Sequence, residues 1–240
     1  MKLPLALAVL SLSAAMLSRA DVVIVQKVDS PMGKSAQMTV KVSGDKVRTD
    51  ISPEVSAIAD TASGQITTIM HTQKAFMVIP AATSKALFSQ MSQAMQQAGV
   101  SSVPKATGKT DKINGYNAAE YSSSNGVLKA SYWMSTDVPN LKAISDALAK
   151  FRKGSMADLT KGFSADLSAL PGIPVKTEAE INGQKLVTEI VSATVQTVDP
   201  SEFQVPADYR EIKMPVMPGQ PAPAAPAPEG QPAPAAPQPQ

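Results

Sequence analysis

The chain has 240 residues, 43% hydrophobic and 18% charged, so its bulk is globular rather than disordered. It has no cysteine, which excludes disulfides, thiol catalysis, iron–sulfur clusters and zinc-finger sites. Lys and Arg number 22 against 20 Asp and Glu, a balance that gives no electrostatic reason to expect nucleic acid or anionic lipid as a partner.

Residues 1–20 read as a secretory signal peptide. Lys2 is followed by the apolar run Leu3–Leu17, and the small residues Ser18 and Ala20 stand ahead of Asp21. The run is shorter than the ~20 residues a membrane-spanning helix needs. Removing Lys2 and Arg19 with the leader leaves 20 basic against 20 acidic side chains.

Residues 21–213 read as one domain. Asp21–Val28 is rich in β-branched residues. Ala36–Ser43 alternates, with Met38, Val40 and Val42 on one face. Lys46–Ile51, Val55–Ala59, Gln65–Met70 and Lys74–Ile79 continue an antiparallel meander, separated by short turns. Thr83–Ala98 changes to helical spacing: Leu87, Phe88, Met91, Ala94, Met95 and Ala98 form one stripe. Three Asn-Gly pairs, at Asn114, Asn125 and Asn182, suit two-residue hairpin turns. They join Lys105–Lys112 to Tyr116–Ser122, that strand to Val127–Ser135, and Val175–Ile181 to Gln184–Val198. Between the last two hairpins lies a helical insert. Asp137 is placed to cap it, and Leu141, Ile144, Leu148 and Phe151 follow at helical spacing. Ser155 with Asp158 resembles the start of a further short helix through Leu167.

The expected fold is mainly β (α+β). One large curled antiparallel sheet of about eleven strands forms a half-barrel, with two or three helices packed on its inner face. Residues 214–240 differ in kind. They hold 10 of the 20 prolines and one charge, Glu229, and Gly219–Pro228 recurs almost unchanged as Gly230–Pro239. Such a Pro/Ala tail cannot bury a core and is expected to be disordered.

Groups with reactive chemistry are sparse. Gly33-Lys34-Ser35 looks like the end of a phosphate loop, but Val28 stands where that loop needs a glycine. His71, the one histidine, falls beside a turn and reads as solvated. Glu178 and Glu180 lie two apart on a strand near Lys176 and Lys185, as on a solvated face. The expectation is a protein that is not an enzyme and has no cofactor and no metal site. Methionine is the informative residue, because its flexible, polarizable side chain adapts to varied apolar shapes. Either the methionines are ordinary core filling, or Met38, Met70, Met77, Leu87, Phe88, Met91, Met95 and Trp133 line a ligand cavity between sheet and helices.

Three segments resemble a secreted bacterial family, the domain of unknown function DUF4412: Met38–Arg48, Thr107–Tyr116 running on to Tyr121, and Phe203–Tyr209, which matches a closing F-x-V-P-x-x-Y signature. That family is similar in layout to the periplasmic lipoprotein-carrier and lipoprotein-sorting (LolA-like) proteins. The resemblance implies an eleven-stranded half-barrel, a helical lid and a cavity that shelters acyl chains. It also implies a periplasmic or secreted location. On this reading the partner is a lipid or other apolar small molecule, with no nucleic acid and no transmembrane segment after the leader. The alternative is an envelope interaction or scaffold module with a solid core, an envelope protein as partner and the Pro-rich tail as spacer.

Overall fold

A computed structural model of the chain describes residues 21–31, 35–97, 103–124, 128–151, 167–181 and 183–213, the side chains of 91, 92, 94–97, 150, 151 and 181 aside. The expected leader, the tail, the Ser155 helix, Asn125-Gly126, Asn182 and most of the Gly33 loop lie outside those residues.

The strands are β1 (Val22–Asp29), β2 (Ala36–Ser43), β3 (Lys46–Ser52), β4 (Val55–Asp60), β5 (Ile66–Met70), β6 (Ala75–Ile79), β7 (Lys105–Ile113), β8 (Tyr116–Ser124), β9 (Leu128–Ser135), β10 (Ile173–Ile181), β11 (Gln184–Val195) and β12 (Arg210–Glu211). Helix α1 (Ala81–Gln97) follows β6, and α2 (Leu141–Phe151) follows β9. All twelve strands form one sheet in the order β12-β6-β5-β4-β3-β2-β1-β11-β10-β9-β8-β7. Its edges, β12 and β7, do not pair, so the sheet is not closed into a barrel.

Two expectations need correction. Among the described residues the count is twelve rather than about eleven, and the sheet is mixed, because β12 runs parallel to β6, with Arg210 opposite Ala75 and Glu211 opposite Phe76. A two-residue strand carries no periodic signature. It pairs because the closing segment is delivered to the β6 edge. The second correction concerns Asp137. It does not cap α2; its carboxylate accepts the Asn117 backbone N–H at 3.0 Å and side-chain Nδ2 at 2.8 Å, tying the β9 end to β8.

Local sequence accounts for the rest. Asn114 and Gly115 take φ values of 48° and 94°, the doubly left-handed geometry of a tight hairpin. The strand pairing slips between Val25 and Gln26 in β1·β11 and between Pro174 and Lys176 in β9·β10. These two bulges, one strand apart, sharpen the sheet's coil where α2 lies.

Both helices pack on the same face. Ile144 and Ala147 of α2 join Val22, Ile24, Val42 and Val47 in the main core. Phe88 of α1 packs on Ala59 and Ile66. Val47 and Ala59 are direct partners across β3·β4, so the two helices share one side of the sheet. The other side of β1 presents Val23, which is covered by Val198 and Phe203 of the closing segment.

Candidate functional site: a half-buried apolar face beside the helices

The register between β2 and β6 builds the site as cross-strand rows. Val42, Val47, Ala59, Ile66 and Ile79 form the first row. Its β2–β4 members are buried beneath the helices. The second row is Val40, Thr49, Ala57, Thr68 and Met77, all half-buried. A third runs through Ser52, Val55, Met70 and the fully buried Ala75, with Met38 on the same face of β2 and Ile51, 46% exposed, at the register slip on the β3 rim. Burial falls from under the helices toward the rim on β2–β4, is level on β5, and rises to the fully buried Ala75 on β6. The second and third rows make a partly exposed face of methyl, thioether and β-branched side chains, the candidate floor of a trough.

The expected cavity residues divide accordingly. Met38, Met70 and Met77 share the helix-bearing face and lie in this trough. Phe88 reaches the same face from α1, whose first turn is fixed by the Ser84 hydroxyl donating to Gly64 O at 2.7 Å. Leu87 is 41% exposed, one position round the helix. The side chains of Met91 and Met95 lie outside the described residues. Trp133 does not belong with the others. It packs with the α2 core on β9, four strands from β2 and so roughly 19 Å along the sheet. Val40, Thr49, Ala57 and Thr68, the trough floor, were not legible as lining. Alternation places Val40 beside Met38, but only the cross-strand register brings the other three alongside.

A polar groove of about 390 Å³ lies toward the β7 edge, lined by β7–β11. Glu120 is nearly buried there. Burial pushes its carboxyl up, but hydrogen bonds from Thr107 and Ser131 and the Lys109 charge hold it below the usual range. Glu178 behaves alike: burial raises it, and Lys185 at 2.6 Å and Lys176 at 3.0 Å more than offset that. Lys176 also pairs with Glu189 at 3.2 Å. Acid–base catalysis by two carboxylates needs environments that push their pKa values apart. Here both are held ionised, as in a cross-strand ion-pair lattice.

His71 corrects another expectation. It is half-buried, not solvated. Its Nε2 lies 2.8 Å from Ser56 Oγ and its Nδ1 3.0 Å from Tyr209 Oη. Ser56 Oγ already donates to Asp50 Oδ1 at 2.7 Å, so it accepts from Nε2–H, and Nδ1 accepts the tyrosine proton. A Ser, a His and an Asp are adjacent, yet wired unlike a hydrolytic triad. The carboxylate holds the serine rather than the imidazole, and Ser56 is 1% exposed. Arg48 completes the cluster, donating Nη2 to Ser56 Oγ at 3.2 Å and Nη1 to Glu202 O at 2.7 Å. The cluster binds the closing segment to the sheet.

Residues 23–209 match the family described as Domain of unknown function (DUF4412). The chain belongs to this family. None of the curated proteins compared matches it. Among solved structures it is similar to PNGF-II in two crystal forms, at 12% and 13% identity and TM-scores of 0.40 and 0.39. Those matches cover 81% of this chain and 32% and 31% of the other, so the chain spans about a third of that protein's length. Mycobacterium tuberculosis lipoprotein LppX is 11% identical with a TM-score of 0.35, covering 70% of this chain and 84% of that one. A LolA superfamily protein from Nitrosomonas europaea, NE2245, is 10% identical with a TM-score of 0.20, covering 77% and 89%. The closing segment Phe203–Tyr209 has a physical reading. Phe203 is buried against Val23 and Val198, Tyr209 N–H bonds Pro206 O at 3.1 Å, and the Tyr209 ring meets His71.

Proposed function

We propose that the protein is a periplasmic or secreted, non-catalytic carrier that shelters a lipid acyl chain or similar apolar ligand in the trough of a half-barrel. One observation carries this: on the helix-bearing face the row Val40, Thr49, Ala57, Thr68 and Met77, with Met38, Val55 and Met70 beside it, lies in register yet remains only half-buried. A solid-cored module would cover that face. Here the second and third rows keep apolar area available for a ligand, and each methylene buried there gains about 0.8 kcal/mol before ordering costs. Met38, Met70 and Met77 let the floor adapt to chains of differing shape. The Ser–Thr–Lys–Glu groove near β7 lies outside this trough and plays no part in it. Among the described residues no helix is long and apolar enough to cross a membrane.

The test is to express the full chain, purify the exported protein without detergent, extract it with organic solvent and identify the extract by mass spectrometry. A stoichiometric lipid, displaced on titration with a fluorescent fatty acid, is the expected result. A lipid-free protein that takes up no probe would overturn the carrier reading and favour an interaction module.

A further inference from the structure

Asp21 is buried in an unusual way. The residue is 4% exposed and stands immediately before Val22, which is fully buried at the start of β1. That strand lies inside the sheet, between β2 and β11. The Asp21 carbonyl accepts Gln196 N–H at 3.0 Å, and its Oδ2 accepts Val198 N–H at 2.9 Å, so the residue holds the start of the closing segment. Its other carboxylate oxygen, Oδ1, is buried with no hydrogen-bond partner. A single neutral N–H does not compensate a buried carboxylate, which calls for a cation or several donors. No other buried side-chain oxygen or nitrogen among the described residues is left in this state.

The sequence supplies a cation at this spot. Ser18-Arg19-Ala20 has the pattern of a leader-peptidase cut, and the bond that would be cleaved is Ala20–Asp21. We propose that Asp21 is the processed first residue, and that its new α-ammonium is the missing partner of its own buried carboxylate. In the hydrolysis the Ala20 C–N bond breaks and water gives its hydroxyl to the Ala20 carbonyl carbon. The Asp21 nitrogen gains a hydrogen and then takes up a proton to become the ammonium. The uncleaved chain has only a neutral amide there, with its single N–H. Processing therefore adds donors and a positive charge at the nitrogen of the residue that carries Oδ1, at the end of β1 that anchors Gln196 and Val198. The exported, cut protein is the fully stabilised form; the precursor leaves Oδ1 without a partner. This is independent of what the trough binds.

The experiment expresses four full-length precursors and purifies the exported products: the natural chain, Asp21→Asn, and each of these with one glycine inserted between Ala20 and Asp21 to displace the amine. Intact mass gives the first residue, and urea unfolding gives the stability. The expected result is a natural product beginning at Asp21, with a folding equilibrium constant at least tenfold above that of its glycine-inserted counterpart. In the Asp21→Asn pair that difference should vanish, because no carboxylate remains for the ammonium to compensate. A natural product beginning at any other residue overturns the proposal. So does an equal effect of the glycine in both pairs, which would mark mere disruption of the strand end.

Discussion

His71 and Tyr209, 138 positions apart, meet edge to face with Nδ1 3.0 Å from the phenolic oxygen. The contact closes the molecule. After β11 the chain crosses the sheet face opposite the helices. Lys41 pairs with Glu202 at 2.9 Å, Arg210 N–H bonds Lys74 O at 3.0 Å, and Ile212 N–H bonds Phe76 O at 2.8 Å. The closing segment is thereby a strap over β1–β6, on the side away from the helices.

The strap's polar contacts differ in worth. Tyr209→Phe removes a half-buried hydroxyl bonded to a histidine that has no other donor at Nδ1, so it should cost about 1 kcal/mol. Asp208→Ala breaks the Lys74 bridge, whose side chains are 67% and 59% exposed, and should change stability little. Urea midpoints at constant m-value separate the two. Equal losses would mean that the imidazole contact is incidental.

Acid should weaken the strap through Asp50. Burial pushes its carboxyl up, but hydrogen bonds from Ser56 and Arg48 and the charges of Arg48 and Lys41 hold it below the ordinary 3.8. A folded value below the unfolded one means the stabilisation is complete above about pH 4 and fades as pH falls through the folded value. Asp50→Asn should therefore be less stable at pH 7, by about 1–3 kcal/mol, and its deficit should shrink as pH drops below 4. A deficit independent of pH between 2 and 7 would rule out the ionised carboxylate as its source.

Gly172 is where the helical insert rejoins the sheet. It has φ +78°, and a Cβ there would meet Ser135 O at 1.9 Å and Ser135 C at 2.5 Å. Both are backbone atoms of a residue paired with Ile173, so neither can move aside cheaply. Gly172→Ala should cost about 3 kcal/mol or more, from steric overlap and the left-handed backbone together. Thermal unfolding within a few degrees of the natural protein would refute this.

The strand plan was readable because alternation and turn residues are local. Val40 beside Met38 and Asn114-Gly115 state their roles within a few positions. What was hidden depends on register and delivery. Arg210–Glu211 pairs only because the strap brings it to β6. Bulges at Val25/Gln26 and Pro174/Lys176 leave no mark in the alternation. His71 looked solvated because Ser56 and Tyr209 are remote in sequence. Trp133 has the same character as the trough residues, and only strand order separates it from them. The methionines of β2, β5 and β6 share one sheet face, as alternation within each strand and the cross-strand register require.

Ala57 gives the sharpest test of the trough. It sits half-buried at the centre of the second row, between Thr49 and Thr68, on the strand that also carries Ala59 beneath Phe88. Its small side chain leaves the floor low there. Ala57→Trp would raise an indole into the middle of the trough and occupy the space an acyl chain needs. Because the row is only half covered, the ring can turn toward solvent, and the fold should keep most of its stability. Fatty-acid binding should fall at least tenfold, equivalent to about 1.4 kcal/mol. The matched control is Leu186→Ala on β11, an exposed apolar residue outside the trough, which should leave binding unchanged. If Ala57→Trp folds, as judged by an unchanged circular dichroism spectrum and cooperative unfolding, and still binds the probe with natural affinity, then the ligand does not lie on this face. Equal losses in both variants would point instead to non-specific adsorption of the probe on exposed apolar surface.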